Sequence, residues 1–271
     1  MEADLLRKVQ LVELDILREL DRVCREHDIS YFLYRGTFLG AIRHGGFIPW
    51  DDDMDVAMLR EDYEKFCQVA PQALSSGYAL QNWHTDSRYA LPFGKLRKRG
   101  TRCVEGKSPE LKENGLYIDI YPLDSAPEDA AERERLSAKL LHLFRIKLMK
   151  SGYTPWVDED HIVWKKRIGY LPYRFVSFFV SQKWLISHYE ALVSAVPENK
   201  LLYEQSALSK VNYFRRDWCE TLTDYAFEDG YFPGPKDYDA CLSELYGDYM
   251  TPPPEGMREN RHLFSHLEFG E

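Results

Sequence analysis

The chain has 271 residues, 44 acidic and 35 basic, for a formal charge of −9; 44% of it is apolar and 29% charged. That apolar share at that length supports a sizeable core and excludes a wholly disordered chain. The acidic balance argues against general nucleic-acid binding, which needs clustered Lys and Arg. Five scattered cysteines without a C-x-x-C pair argue against a disulfide scaffold or zinc ribbon and favour a reducing compartment. The N-terminus shows no basic-then-apolar leader, and no run of about 18 apolar residues occurs. A cytoplasmic chain without a membrane span is therefore expected.

Leu5, Val9, Val12, Ile16, Leu20 and Val23 recur at steps of three and four and predict an amphipathic helix ending near His27-Asp28. Tyr31 to Tyr34 reads as a short buried strand. Gly36-Thr37 opens a helix over Phe38 to Arg43, which Gly45-Gly46 ends. Pro49 disfavours helix before it, so 47–50 is an extended loop. Residues 53–58 alternate as a strand, Arg60 to Val69 predicts a helix, and 78–83, 90–97 and 116–121 predict strands. From Pro127 the pattern turns helical, over 128–150 and 160–195, with breaks at Gly152, Pro155 and Pro172. Tyr238 to Tyr246 is a last helical stretch. The expected class is α+β, with a catalytic core in residues 1–125 and a helical region with a returning tail in 126–271.

Chemistry concentrates in Trp50-Asp51-Asp52-Asp53-Met54-Asp55-Val56. Alternate residues of a strand share a face, so Asp51, Asp53 and Asp55 would converge. Close carboxylates raise one another's pKa unless a cation lies between them. Hard oxygen ligands suit Mg²⁺ or Mn²⁺, with substrate phosphate completing the shell. A calcium EF-hand loop is excluded, because its sixth and twelfth positions counted from Asp51 are Val56 and Asp62 instead of Gly and Glu. Upstream, Gly36 and Thr37 place a glycine and a hydroxyl at a strand-to-helix turn, where backbone N–H groups favour phosphate. Downstream, Asp119 stands alone in an apolar strand and is costly to bury without a counter-charge. A metal shared with Asp53 and Asp55 would supply one; Asp124 is the substitute if the register differs. Each feature also has a plainer reading: a solvated acidic turn, a helix cap, a strand-end Asp bonded to a nearby N–H.

Together these segments resemble the LicD family, within the nucleotidyltransferase superfold. The matching stretches are YFLYRGTFLGAIRHGGFIPWDDDMDVAMLREDYEKF (31–66), LPFGKLRKRGT (91–101), GLYIDIYPLD (115–124) and FPGPKDYDACLSELYGDYMTPPPE (232–255). The resemblance implies a nucleotidyltransferase-like core, a mixed β-sheet flanked by helices, plus a helical C-terminal region. It implies transfer of a phospho-alcohol group, phosphocholine foremost, from a CDP-linked donor to a hydroxyl of a bacterial cell-surface glycan or teichoic acid precursor, with CMP released. Ribitol or glycerol phosphate are alternative groups. It also implies Mg²⁺ or Mn²⁺ on Asp53, Asp55 and Asp119, and donor phosphates at Gly36 and Thr37, where many superfold members have Ser for Thr37. Lys95, in the apolar run 92–96, is the first candidate for a phosphate-binding cation, against a surface lysine. Arg43, His44, His262 and His266 are secondary candidates. A choline group would need aromatic faces, and Trp50, Tyr121, Tyr246 and Tyr249 lie nearest the motifs. The rival readings are a D-x-D glycosyltransferase using a nucleotide sugar and a nucleotidyltransferase consuming an NTP. Residues 145–183 hold eight bases, three acids and eight aromatics. They either dock lipid headgroups or an anionic acceptor at the inner membrane face, or form solvated basic helices.

Overall fold

The computed structural model describes residues 2–105, 109–158, 161–204, 212–258 and 264–270. Helix α1 (Ala3–Glu26) buries the periodic stripe that includes Val9, Ile16, Leu17, Leu20 and Val23. Strand β1 (Phe32–Leu33) leads into α2 (Arg35–His44). Gly45 ends that helix with φ 68°, its N–H donating to the Ala41 carbonyl and the Gly46 N–H to the Gly40 carbonyl, a left-handed cap that glycine adopts without strain. Then come β2 (Asp55–Leu59), α3 (Arg60–Ala73), β3 (Tyr78–Gln81), β4 (Gly94–Lys98), β5 (Arg102–Glu105) and β6 (Tyr117–Ser125). The second half holds α4 (Ala130–Ser151), the two-residue strands β7 (Val157–Asp158) and β8 (His161–Ile162), α5 (Trp164–Phe179) and α6 (Gln182–Ser194). It continues with β9 (Leu201–Glu204), β10 (Asn212–Arg215), α7 (Asp217–Glu220), β11 (Leu222–Phe227), β12 (Gly230–Pro235), α8 (Tyr238–Tyr246) and β13 (Phe264–Glu268).

Among the described residues, seven strands form the main sheet in the order β1-β2-β6-β4-β3, with β9 on the end of β6 and β10 on β9. The β2–β6 pair is parallel and the other ladders are antiparallel. Helices α1, α2, α3 and α6 pack against this sheet. Strand β6 is buried along all but its last residue, and β2 likewise. Such continuous burial marks strands covered on both faces. A mixed sheet flanked by helices is the α+β, nucleotidyltransferase-like architecture that the motifs led us to expect.

Three local differences matter. Strand β2 begins at Asp55, so residues 53 and 54 belong to the preceding loop and their side chains do not follow strand alternation. Pro172 lies inside α5 without ending it; it is exposed, and the missing N–H costs one helical bond. The break falls instead at Val180-Ser181, where the Ser181 hydroxyl accepts the Trp184 N–H and caps α6. Finally, β9 and β10 extend the main sheet, and Phe214, Trp218, Phe227 and Leu242 share one core with Leu17, Phe32, Val56 and Ile118. The β11–β12 hairpin lays Tyr225 on Phe38 and Phe227 on Phe47. Residues from the far end of the chain thus brace α2.

Candidate active site

The site grows from the parallel pair β2–β6. Their register sets Asp55 beside Asp119. On the other flank of β6, Lys95 of β4 is the partner of Asp119. Its Nζ lies 3.0 Å from Asp119 Oδ1 and 3.3 Å from the centre of the Tyr117 ring. Lys95 is only 2% exposed, so it is a buried, ion-paired lysine and not a surface one. The Tyr121 hydroxyl approaches Asp119 Oδ2 at 3.4 Å.

The start of β2 is tied to the start of α2. The Asp55 N–H donates to Thr37 Oγ1 at 2.8 Å, and the Tyr34 N–H donates to the Asp55 carbonyl at 3.0 Å. Thr37 therefore serves as a strut between the glycine turn and the carboxylate strand. A Cβ on Gly36 would stand 2.8 Å from Asp51 Oδ2. Glycine allows that carboxylate to lie against the first turn of α2, where the helix dipole favours negative charge. Arg35 enters the helix at φ 48°, a conformation uncommon outside glycine. Its guanidinium lies 5.1 Å from the Tyr121 ring centre. Backbone strain of this kind gathers at functional sites.

The loop before β2 adds the remaining charge. Carboxylate oxygens of Asp51, Asp52 and Asp53 all lie within 4.8 Å of one another. Asp52 is the buried member, although alternation would have turned it away. From α1, the Gln10 side-chain amide donates to the Asp51 carbonyl at 2.9 Å. Glu13, also on α1, is 3% exposed, and its Oε2 has no hydrogen-bond partner among the described residues. Desolvation pushes the Glu13 carboxyl well above the usual carboxylate range, and the charges of Asp53, Asp51, Asp52 and Asp119 push the same way. A divalent cation would relieve that crowding, and an all-oxygen donor set fits Mg²⁺ or Mn²⁺. Gln10 and Glu13 escaped the sequence reading. The signal was present: Gln10 and Glu13 are polar residues among the mostly apolar buried positions of α1, as is Glu19, which pairs with Arg22 instead.

The other candidates have different surroundings. Asp124 forms a two-point pair with Arg60, 2.7 Å on each oxygen; with Asp119 in register beside Asp55, no substitute is needed. Arg43 sits at the opposite end of α2, donating to the Tyr249 carbonyl at 2.7 Å. Burial lowers its pKa and that of His44, which stands edge-on to Trp50. For Tyr246, at the end of α8, desolvation raises the phenol pKa, and the charges of Asp55 and Asp51 add to the rise. The Tyr249 hydroxyl donates to Asp239 and belongs to the core. His266 is exposed on β13, 2.6 Å from Glu268. The tail does return, but onto α1 and β5, where Leu267 and Phe269 pack with Val9 and Tyr117. His262 lies outside the described residues. The structure thus unites Gly36, Thr37, Asp55, Lys95 and Asp119, with Asp53 among the loop carboxylates, while Arg43 and His266 have partners elsewhere. A cavity of about 360 Å³ at the β3 edge, lined in part by Tyr78, Gln81 and Arg99, contains none of these side chains.

The family model described as "LicD/FKTN/FKRP, nucleotidyltransferase domain" matches residues 28–145, the stretch that carries α2, β2, β4 and β6. The lipopolysaccharide cholinephosphotransferase LicD of Haemophilus influenzae is 30% identical over 266 residues, 95% of this chain and 96% of that protein. An uncharacterized protein of Rickettsia typhi is 36% identical over 180 residues, 61% of this chain and 51% of its own length. The mouse ribitol 5-phosphate transferase FKRP is 29% identical over 119 residues, 40% of this chain and 20% of that protein.

Proposed function

The chain belongs to the LicD family, and on that premise we propose that it moves phosphocholine from CDP-choline to a hydroxyl of a bacterial cell-surface glycan. One observation carries the reading: two buried carboxylates, Asp55 and Asp119, stand side by side on parallel strands, next to a glycine turn suited to phosphate. In the reaction the acceptor oxygen bonds to the β-phosphorus, the bond from that phosphorus to the CMP oxygen breaks, and CMP leaves. Phosphoryl transfer needs positioning and charge neutralisation more than covalent help. Asp53, Asp55 and Asp119 would hold Mg²⁺ or Mn²⁺, which when bound neutralises the donor diphosphate. Asp119 takes the proton of the acceptor hydroxyl. Lys95 and Tyr121 act through Asp119, fixing its two oxygens, and are positioning residues. Thr37 holds the glycine turn against β2, so the N–H groups of α2 meet the donor phosphate in a fixed orientation.

The test is CMP release and choline incorporation with CDP-choline, Mg²⁺ and a lipopolysaccharide acceptor, for the parent and for Asp55→Asn. Near-parental turnover by the variant would sink the reading. The match to FKRP favours a second donor, CDP-ribitol, at the same site. Melting shifts with CDP-choline, CDP-ribitol, CDP-glycerol, UDP-sugars and NTPs rank the donors, because stabilisation follows occupancy. A shift confined to UDP-sugars or NTPs would replace both readings with a glycosyltransferase or a nucleotidyltransferase.

A further inference from the structure

Helix α5 has two unlike faces. One packs on α4: the Tyr173 hydroxyl meets His142 Nδ1 at 2.8 Å and Arg145 at 3.1 Å, and Lys150 donates to the Ser177 carbonyl at 3.0 Å. The opposite face carries Trp164, Ile168, Leu171, Phe175, Phe178 and Phe179, each more than half exposed. At 3.6 residues per turn these six fall within one stripe of about 100°. Monomeric soluble proteins rarely leave so continuous an apolar strip to water.

Charge says what covers it. Helix α5 contains Lys165, Lys166, Arg167 and Arg174 and no acidic residue, in a chain whose net charge is −9. Lys183 and the half-exposed Trp184 continue the pattern into α6. A second copy of this face would set one uncompensated basic helix against another, which like-charge repulsion opposes. A bilayer with anionic headgroups satisfies both faces of the pattern. The rings enter the acyl boundary, and the Lys and Arg stems reach along them to the phosphates. The helix is about 24 Å long at 1.5 Å per residue. Among the described residues no helix is long and apolar enough to cross a membrane, so α5 lies in the plane of the surface.

We propose that α5 is an interfacial helix that seats this protein on an anionic phospholipid surface. The claim is independent of the transferase reading, because it concerns binding with no donor present. The experiment is co-sedimentation of the full chain with vesicles of phosphatidylethanolamine plus phosphatidylglycerol, or of phosphatidylcholine alone. Two variants accompany it: Phe175→Gln/Phe178→Gln/Phe179→Gln and Lys165→Glu/Arg174→Glu. All five positions are exposed, and unchanged melting temperatures will show that the fold is intact. The parent should bind the phosphatidylglycerol vesicles, more weakly at high salt. The charge variant should bind them at least about 25-fold more weakly, near fivefold for each of the two positive charges removed, and the phenylalanine variant at least about tenfold more weakly through lost apolar burial. Failure of the parent to bind, or equal binding by the phenylalanine variant, overturns the proposal. So does self-association by light scattering that the phenylalanine variant abolishes while vesicles capture nothing.

Discussion

Strand β6 carries two buried aspartates, Asp119 and Asp124, and each faces a cation. Asp124 and Arg60 form a closed unit, with both carboxylate oxygens engaged at 2.7 Å. Asp119 meets Lys95 through one oxygen at 3.0 Å and stands in register with a second aspartate, Asp55. A cation beside a buried carboxylate therefore does not by itself separate scaffold from chemistry. What separates them is the balance of charge. Around Asp124 the charges cancel pairwise, whereas around Asp119 the carboxylates of Asp55, the loop aspartates and Glu13 outnumber the cations Lys95 and Arg35. Buried lysines repeat the contrast. Lys95 faces a carboxylate, while among the described residues Lys147 donates to neutral oxygens, the Ser87 and Tyr89 carbonyls and the Ser151 hydroxyl.

The sharpest way to break this comparison is to neutralise each aspartate in turn. Asp55→Asn and Asp119→Asn should each lower transfer at least about 100-fold in CMP-release assays; Asp55→Asn should hold or raise the melting temperature because like charges have been thinned, whereas Asp119→Asn also strips the buried Lys95 of its ion-pair partner and should gain no stability. Asp124→Asn should do the reverse. It leaves the partly buried Arg60 charge without its partner, at a cost of about 2–3 kcal/mol in urea unfolding, while turnover per folded molecule stays within a few-fold. A catalytic collapse from Asp124→Asn without a stability loss would merge the two classes.

Lys147 gives a smaller, pH-dependent effect. Burial lowers its pKa from 10.5 to about 8, so between those values the unfolded chain holds the proton and the folded chain has released it. Stability should rise with pH across that window, by up to about 3 kcal/mol from this group. Urea unfolding of Lys147→Met at pH 8 and pH 10, set against the parent, should show that part of the rise missing. Glu13 acts with the opposite dependence on pH. Its raised pKa means that above about 4.5 the folded form carries a cost that the unfolded chain does not. Glu13→Gln should therefore raise the melting temperature of metal-free protein at pH 7 and leave it unchanged at pH 4. Added Mg²⁺ should narrow the gap at pH 7.

Much of this was legible in the residues. The period of α1 and the last helix, Tyr238 to Tyr246, emerged from local pattern, as did the strand that carries Asp119. What failed was inference about facing. Alternation grouped Asp51, Asp53 and Asp55, but it applies only where a ladder holds the backbone extended, and the ladder starts at Asp55. Gln10 and Glu13 looked like imperfections on an apolar stripe, since a stripe shows which side is buried and not what it is buried against. Lys95 stood out as a cation among apolar neighbours, yet its partner lies on another strand.

Local pattern marked α1 to α3, the strands that carry Asp55, Lys95 and Asp119, α8, the acidic motif, the glycine turn and the likeness to the LicD family, because each is written in neighbouring residues, but it did not mark the strands β7 to β13. The tertiary structure alone decided three things. It set Asp55 beside Asp119, through hydrogen bonds between strands distant in the chain. It closed Asp124 onto Arg60 and left Asp119 in the crowd. It also turned the apolar stripe of α5 outward, since packing on α4 uses the other face. The physical reason is the same each time: periodicity and composition are local, but register, pairing and exposure are settled only when distant segments meet.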